Sequence, residues 1–261
     1  MGILNVTPDS FSDGGRYARP DEAAERVRQM VDEGAAIIDV GGESTRPGAA
    51  AVAEAAEIER VVPVIERIAA ALDVAVSVDT SKPAVMAAAA AAGACIVNDI
   101  RAMRAAGARE WAAASGVGVC LMHMLGVPST MQQNPIYQAG VAEVSAFLVR
   151  EREACMAAGI AKEAIVLDPG IGFGKLPVHN LTLLRELPAL AALGSPLLVG
   201  VSRKSFIGRV LGRGIDGRAS GGLGLAALAV WNGARIIRTH DVAATCDAIG
   251  MVSAVLQGIQ L

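Results

Sequence analysis

Short runs of apolar, often β-branched residues recur along the chain, each ending on polar residues and each followed by room for one helix. The runs are residues 2–6, 36–40, 74–78, 95–97, 117–122, 164–168, 196–201 and 235–237. Their apolar character is continuous rather than alternating, the pattern of a strand covered on both faces. Between them, apolar positions at helical spacing predict helices. The first runs from Pro20 and Asp21, with Ala24, Val27, Met30 and Val31 on one face and Gly34 as its C-cap. Others are predicted over about 53–72, after Lys82-Pro83, and over 107–114, 141–158, 180–187, 220–231 and the stretch reaching about Leu256. Eight strand–helix pairs predict an α/β fold, a single-domain (β/α)8 TIM barrel over residues 1–261 with its active site at the C-terminal ends of the strands. A doubly wound sheet is the alternative, and it needs less even connections and a switch point.

Composition narrows the class. Hydrophobic residues make up 53% and aromatic residues only 3%, so Ala, Val, Ile and Leu must build the core. A net charge of -3 provides no basic face, which argues against nucleic acid and for a small ligand. Cys95, Cys120, Cys155 and Cys246 have neither paired nor metal-ligand spacing and are expected to be buried small hydrophobes, in keeping with a cytoplasmic location. No apolar run approaches the roughly 18 to 20 residues of a membrane helix, so no membrane partner is expected.

In a barrel the polar residues at strand ends converge, and those candidates are Asn5, Thr45, Asp79, Asn98, Asp168, Lys204, Arg238 and His240. Asp79 and Asp168 end apolar strands and would be desolvated acceptors, costly unless they meet donors or a cation. A planar ligand with an amide N–H and an amino group would supply the donors. Arg203, Lys204, Arg238 and His240 follow the seventh and eighth strands, the quadrant where such barrels often bind phosphate, and Ser205 opens a short segment whose free N–H groups suit an anion. The loops over 7–15 and 43–48 are rich in glycine and proline and are expected to be mobile until ligands order them, which predicts sequential binding. Gly170-x-Gly172-x-Gly174-Lys175 fails as a phosphate loop, because Leu176 stands where Ser or Thr is required. Gly221, Gly222 and Gly224 are expected to let a helix pack closely. His123 and His179 lack zinc-ligand spacing and are expected to form structural hydrogen bonds.

Five motifs together resemble dihydropteroate synthase, the folate-pathway family inhibited by sulfonamides. They are Gly2-Ile-Leu-Asn-Val-Thr-Pro-Asp-Ser-Phe-Ser-Asp-Gly-Gly15, Ile38-Asp-Val-Gly-Gly-Glu-Ser-Thr-Arg-Pro-Gly48, Leu167-Asp-Pro-Gly-Ile-Gly-Phe-Gly-Lys175, Ser202-Arg-Lys-Ser-Phe-Ile-Gly208 and Arg238-Thr-His-Asp241. Family members usually carry a short segment ahead of the first motif, and its lack here bears on the barrel floor rather than the site. The resemblance implies condensation of 6-hydroxymethyl-7,8-dihydropterin diphosphate with 4-aminobenzoate, with Mg2+, through a pterin cation. It implies that Asp79, Asp168 and Lys204 carry the chemistry and that Asp79, Asn98, Asp168 and Lys204 hold the pterin. Thr45, Arg46, Arg238 and His240 would hold the diphosphate, Asn5 the Mg2+, and Phe11, Pro47, Phe173 and Ser205 the aminobenzoate. A homodimer through the last helices is implied as well. The nearest alternative is a pterin-dependent methyltransferase barrel acting with a corrinoid protein, which has no use for the diphosphate cluster; a non-catalytic pterin-binding protein would not need Asn5.

Overall fold

The computed structural model describes residues 1–7, 20–44 and 51–258. Strands β1 (Gly2–Asn5), β2 (Ile37–Gly41), β3 (Ala75–Asp79), β4 (Ile96–Asp99), β5 (Gly118–Met122) and β6 (Ile165–Asp168) pair in chain order as a parallel sheet. Strands β7 (Leu198–Gly200) and β8 (Ile236–Arg238) form a parallel pair. Single bridges join the two groups, Leu167 to Leu197 between β6 and β7 and Gly2 to Thr239 between β8 and β1. The Thr239 amide donates to Met1 O at 3.0 Å, and the Ile3 amide to Thr239 O at 2.9 Å. Each strand therefore has a neighbour on both sides, in the sequential order of a closed (β/α)8 barrel rather than the reversed order of a doubly wound sheet.

Helices α1 (Pro20–Asp32), α2 (Glu54–Ala71), α3 (Pro83–Ala91), α4 (Ala108–Ser115), α5 (Val141–Ala157), α6 (Pro177–Arg185), α7 (Leu187–Ala191), α8 (Ser205–Leu211), α9 (Ala219–Trp231) and α10 (Val242–Gln257) connect the strands. The core lies between them and the barrel. Ile38 and Val40 of β2 and Val78 of β3 are fully buried, as are Val61, Ile65 and Ile68 of α2. With a period of two, Asp39 must point the other way, into the barrel. Its hydrogen bonds reach β4 and β8, which are not neighbours of β2, so they cross the interior.

Several boundaries differ from expectation. The sixth helix begins at Pro177 rather than residue 180, because proline suits the first helical turn and the His179 ring accepts from the Leu176 amide at 3.2 Å. The seventh strand is three residues long, not six. Close packing holds at Gly221, where a Cβ would lie 2.7 Å from Ile207 Cγ2, but Gly224 has nothing within 4 Å. Cys120 and Cys155 are buried, whereas Cys246 is half-buried and Cys95, directly before β4, is exposed with its Sγ toward Val76 O at 3.6 Å. All four are free thiols.

The glycines after β6 have a packing cause. Gly170 adopts φ +65°, and a Cβ there would lie 1.9 Å from the His123 carbonyl oxygen. Gly170→Ala is expected to destabilise the fold by about 3 kcal/mol, since it combines left-handed strain with a backbone clash; the midpoint of urea unfolding measures it.

Candidate active site

The register of the sheet aligns the strand ends. Asn5, Gly41, Asp79, Asn98 and Cys120 form one row across β1 to β5, and Asp168 pairs with Met122 two residues further along the strands. Asn5, Asp79, Asn98 and Asp168 are thus brought to one end of the barrel. Gly41 keeps the row open, because a Cβ there would lie 3.7 Å from Asn5 Oδ1 and 3.8 Å from Asp79 Oδ2. Asn5 contributes an amide oxygen there, while Asp79 Oδ2 is engaged by Arg238. Hard oxygen ligands of this kind fit Mg2+, which keeps several waters and takes one or two protein ligands together with substrate phosphates. The described residues hold no group of three or more acidic, His or Cys side chains suited to a metal, so a metal here would need ligands besides such side chains.

A residue absent from the sequence-derived set organises this end. Asp39 is 0% exposed, accepts from Asn98 Nδ2 at 3.0 Å and from Arg238 Nε at 2.6 Å, both on Oδ2, and among the described residues Oδ1 has no partner. Arg238 also donates from Nη2 to Asp79 Oδ2 at 2.8 Å. Arg238 therefore directs two nitrogens at carboxylates inside the barrel, contacts that its expected role toward an anion did not include. The physical reason is charge: two desolvated carboxylates need the cation more than solvent does. Burial, opposed by Arg238, pushes the Asp79 carboxyl up to about 7. Burial works against the Arg238 charge, yet Asp39 and Asp79 hold its pKa above the ordinary value. A signal for Asp39 was present, since an acid flanked by Ile38 and Val40 in a strand is expensive without a purpose.

The opposite side is cationic. Asp168 is 7% exposed, and its Oδ1 accepts from the Gly170 amide at 2.7 Å, so it is both a turn residue and a site acceptor. Burial raises its pKa against the pull of that amide, Lys204, Lys175 and Arg238. Lys204, the residue before α8, places Nζ 4.1 Å from the centre of the Phe173 ring, and burial lowers its pKa to about 8. Ser205 is the exposed first residue of α8. His240 Nδ1 lies 3.0 Å from Ser202 Oγ, which also accepts from the His240 amide at 3.2 Å, so Ser202 orients that ring. Arg203 turns outward onto Asp241 at 2.5 Å and leaves the expected anion cluster. Lys175, seen only as part of a failed phosphate loop, is buried beneath the site. His123 and His179 make the structural hydrogen bonds expected of them.

Thr45, Arg46, Phe11 and Pro47, and with them most of the two loops expected to be mobile, lie outside the described residues. The base of the second loop is tied down: Lys82 pairs with both Glu43 and the buried Glu57, and Arg60 donates to Gly42 O at 2.8 Å.

Buried acidic acceptors at the strand ends and a cation over an aromatic ring are the groups suited to a flat, donor-bearing heterocycle. The chain belongs to the pterin-binding enzyme family, which it matches over residues 1–240. It is 52% identical over 256 residues to the dihydropteroate synthase of Escherichia coli K12, covering 98% of this chain and 91% of that one. The dihydropteroate synthase of Yersinia pestis, solved in complex with a sulfonamide drug, superposes with a TM-score of 0.93 at 50% identity, covering 98% of this chain and 93% of that one. That of Xanthomonas albilineans, solved with 4-aminobenzoic acid, gives 0.93 at 47%, covering 99% and 93%. Among the pterin-binding enzymes, this chain is of the dihydropteroate synthase kind, a transferase.

Asp39→Asn is expected to cost about 3 kcal/mol in urea unfolding, the low end for a broken buried ion pair, because Asp79 still holds Arg238. A pH dependence follows from Lys204. Its folded pKa of about 8 lies below the ordinary 10.5, so between those values the unfolded chain binds the proton and the folded chain does not. Its contribution to stability rises with pH over that window. Unfolding free energies at pH 8 and 10 are expected to differ less in Lys204→Met than in the parent.

Proposed function

We propose that this chain joins 6-hydroxymethyl-7,8-dihydropterin diphosphate to 4-aminobenzoate, releasing diphosphate and 7,8-dihydropteroate. The observation that carries the reading is the set of buried acceptors at the ends of β3, β4 and β6, Asp79, Asn98 and Asp168, together with an ammonium over the Phe173 ring. A pterin presents an amino group, ring N–H groups and a carbonyl in one plane. Asp168 would accept from the amino and ring N–H groups, Asn98 and Asp79 would hold the far edge, and Lys204 would donate to the carbonyl or N5. Aminobenzoate would lie against Phe173 with its carboxylate near the Ser205 amide; the relative from Xanthomonas albilineans holds 4-aminobenzoic acid.

In the reaction, the bond from the pterin methylene carbon to the diphosphate oxygen breaks and its electron pair leaves with diphosphate. The amine nitrogen then bonds to that carbon and loses a proton. The cation formed between these steps would be stabilised by Asp79 and Asp168, and the departing charge by His240, Thr45 and Arg46, with a smaller share from Arg238. Mg2+ would be held at Asn5 and would offset the negative charge on the diphosphate. An aniline nitrogen is weakly basic and already carries a free lone pair, so no strong general base is needed.

We also infer one domain over residues 1–261 and a cytoplasmic homodimer. The dimer is supported by exposed apolar side chains on α9 and α10, Trp231, Met251 and Val255, which a second copy would cover. The location is supported by four free thiols. No helix among the described residues is long and apolar enough to cross a membrane.

Incubating the protein with the pterin diphosphate, aminobenzoate and Mg2+ should yield dihydropteroate, and absence of product would overturn the reading. Asp168→Asn replaces an acceptor oxygen by an amide donor, so pterin affinity in calorimetry should fall by roughly one to two orders of magnitude, the worth of a hydrogen bond to a charged group.

A further inference from the structure

Lys175 is 3% exposed, yet among the described residues it makes no ion pair of the kind a buried ammonium usually has. Its Nζ lies 3.0 Å from His123 Nδ1, 3.2 Å from His123 O and 3.0 Å from Phe173 O. Three N–H bonds meet three neutral acceptors. For Nδ1 to accept, the imidazole proton must sit on Nε2 and the ring must be neutral, as its burial and the Lys175 charge, which push its pKa down to about 3, require.

We propose that Lys175 is a positioning residue for the pterin site: it ties the end of β5 to the loop after β6 and so sets the Asp168 carboxylate and the Phe173 ring relative to each other. The connections are short on both sides. The His123 amide donates to Asp168 O at 2.9 Å, and the His123 carbonyl held by Lys175 is the one against which Gly170 packs. The Gly170 amide in turn holds Asp168 Oδ1. On the other side, the Phe173 carbonyl held by Lys175 belongs to the ring under Lys204, and the Phe173 amide closes the turn onto Gly170 O at 3.0 Å. Asn180 of α6 secures the same loop, accepting from the Gly172 amide at 2.7 Å and donating to Lys175 O at 3.4 Å.

A second effect accompanies the first. The groups that face Asp168 are Lys204, Lys175 and Arg238, the Gly170 amide and the Cys120 thiol. Those that face Lys175 are Asp168, Lys204, His123 and the Tyr137 ring, 5.9 Å away. Burial lowers the Lys175 ammonium to about 7, so it is charged below that pH, where Asp168 most needs a neighbouring cation to stay ionised. Above it, the charge is gone and the neutral amine keeps two N–H donors for the three acceptors.

The inference rests on Asp168 as the pterin acceptor, and the test separates the two. Full-length parent, Lys175→Met, Lys175→Gln and Asp168→Asn are titrated calorimetrically with 6-hydroxymethylpterin at pH 6 and pH 8.5. Lys175→Met is expected to bind at least tenfold more weakly at pH 6, with a smaller loss at pH 8.5. Lys175→Gln, which keeps two donors without the charge, should reproduce the pH 6 loss and stay near the parent at pH 8.5; it carries the comparison if the methionine variant does not fold. Parent-like affinity of both lysine variants at both pH values, with Asp168→Asn impaired, would overturn the inference and leave the pterin reading standing. An equal loss at both pH values in both variants, with a lowered unfolding midpoint, would reduce Lys175 to packing and overturn it too. If Asp168→Asn binds like the parent, the pterin reading fails and takes the inference with it.

Discussion

Arg238 lies between Asp39 and Asp79, and the open end of the barrel is built around that contact. Two carboxylates cannot be held out of water next to each other without a cation, and the cation comes from the last strand. It reaches them only because β8 meets β1 through the Gly2 to Thr239 bridge, closing the ring. Closure and charge compensation are therefore one event. Removing Arg238 would leave two buried carboxylates without their cation, which costs more than the intact cluster contributes, whereas removing either acid leaves Arg238 with the other.

A buried ion cluster stabilises a fold poorly compared with apolar side chains of the same volume. Its placement directly beneath the row of Asn5, Asp79 and Asn98 gives another reason for it. Asn98 is held by Asp39 and Asp79 by Arg238, so the side chains that would face a pterin are fixed before it arrives. Fixed acceptors need no reorganisation on binding. Asp168 is held in a different way, by the amide of a glycine turn that no larger residue could form. One side of the site is thus rigid through charge and the other through backbone packing.

The pocket's sign also varies across it. Acidic groups cluster on β2, β3 and β6, while Lys204, Lys175 and the His240–Ser202 pair occupy the loops after β6 to β8. A substrate with a cationic ring and an anionic leaving group matches that division. Charge would separate along a gradient already present in the folded chain.

The local pattern was enough for the strand count, the alternation with helices and the placing of Asp79, Asn98 and Asp168 at strand ends, because each depends on periodicity and turn chemistry within about a dozen residues. Glycines after β6 were visible as a turn, though not that their φ values and the His123 carbonyl demand them. What the local pattern could not supply was which polar side chains meet. Asp39 lies in mid-strand, where the rule that sites gather at strand ends passes over it, and its partner Arg238 is 199 positions away. Lys175 looked like a failed phosphate loop because its acceptor ring, His123, is 52 positions distant. The carboxylate partners of Arg238 are hidden for the same reason: its sequence neighbours do not include them. Face and period are written along the chain, but the partner of a buried charge is chosen by ring closure, which brings first and last strands together.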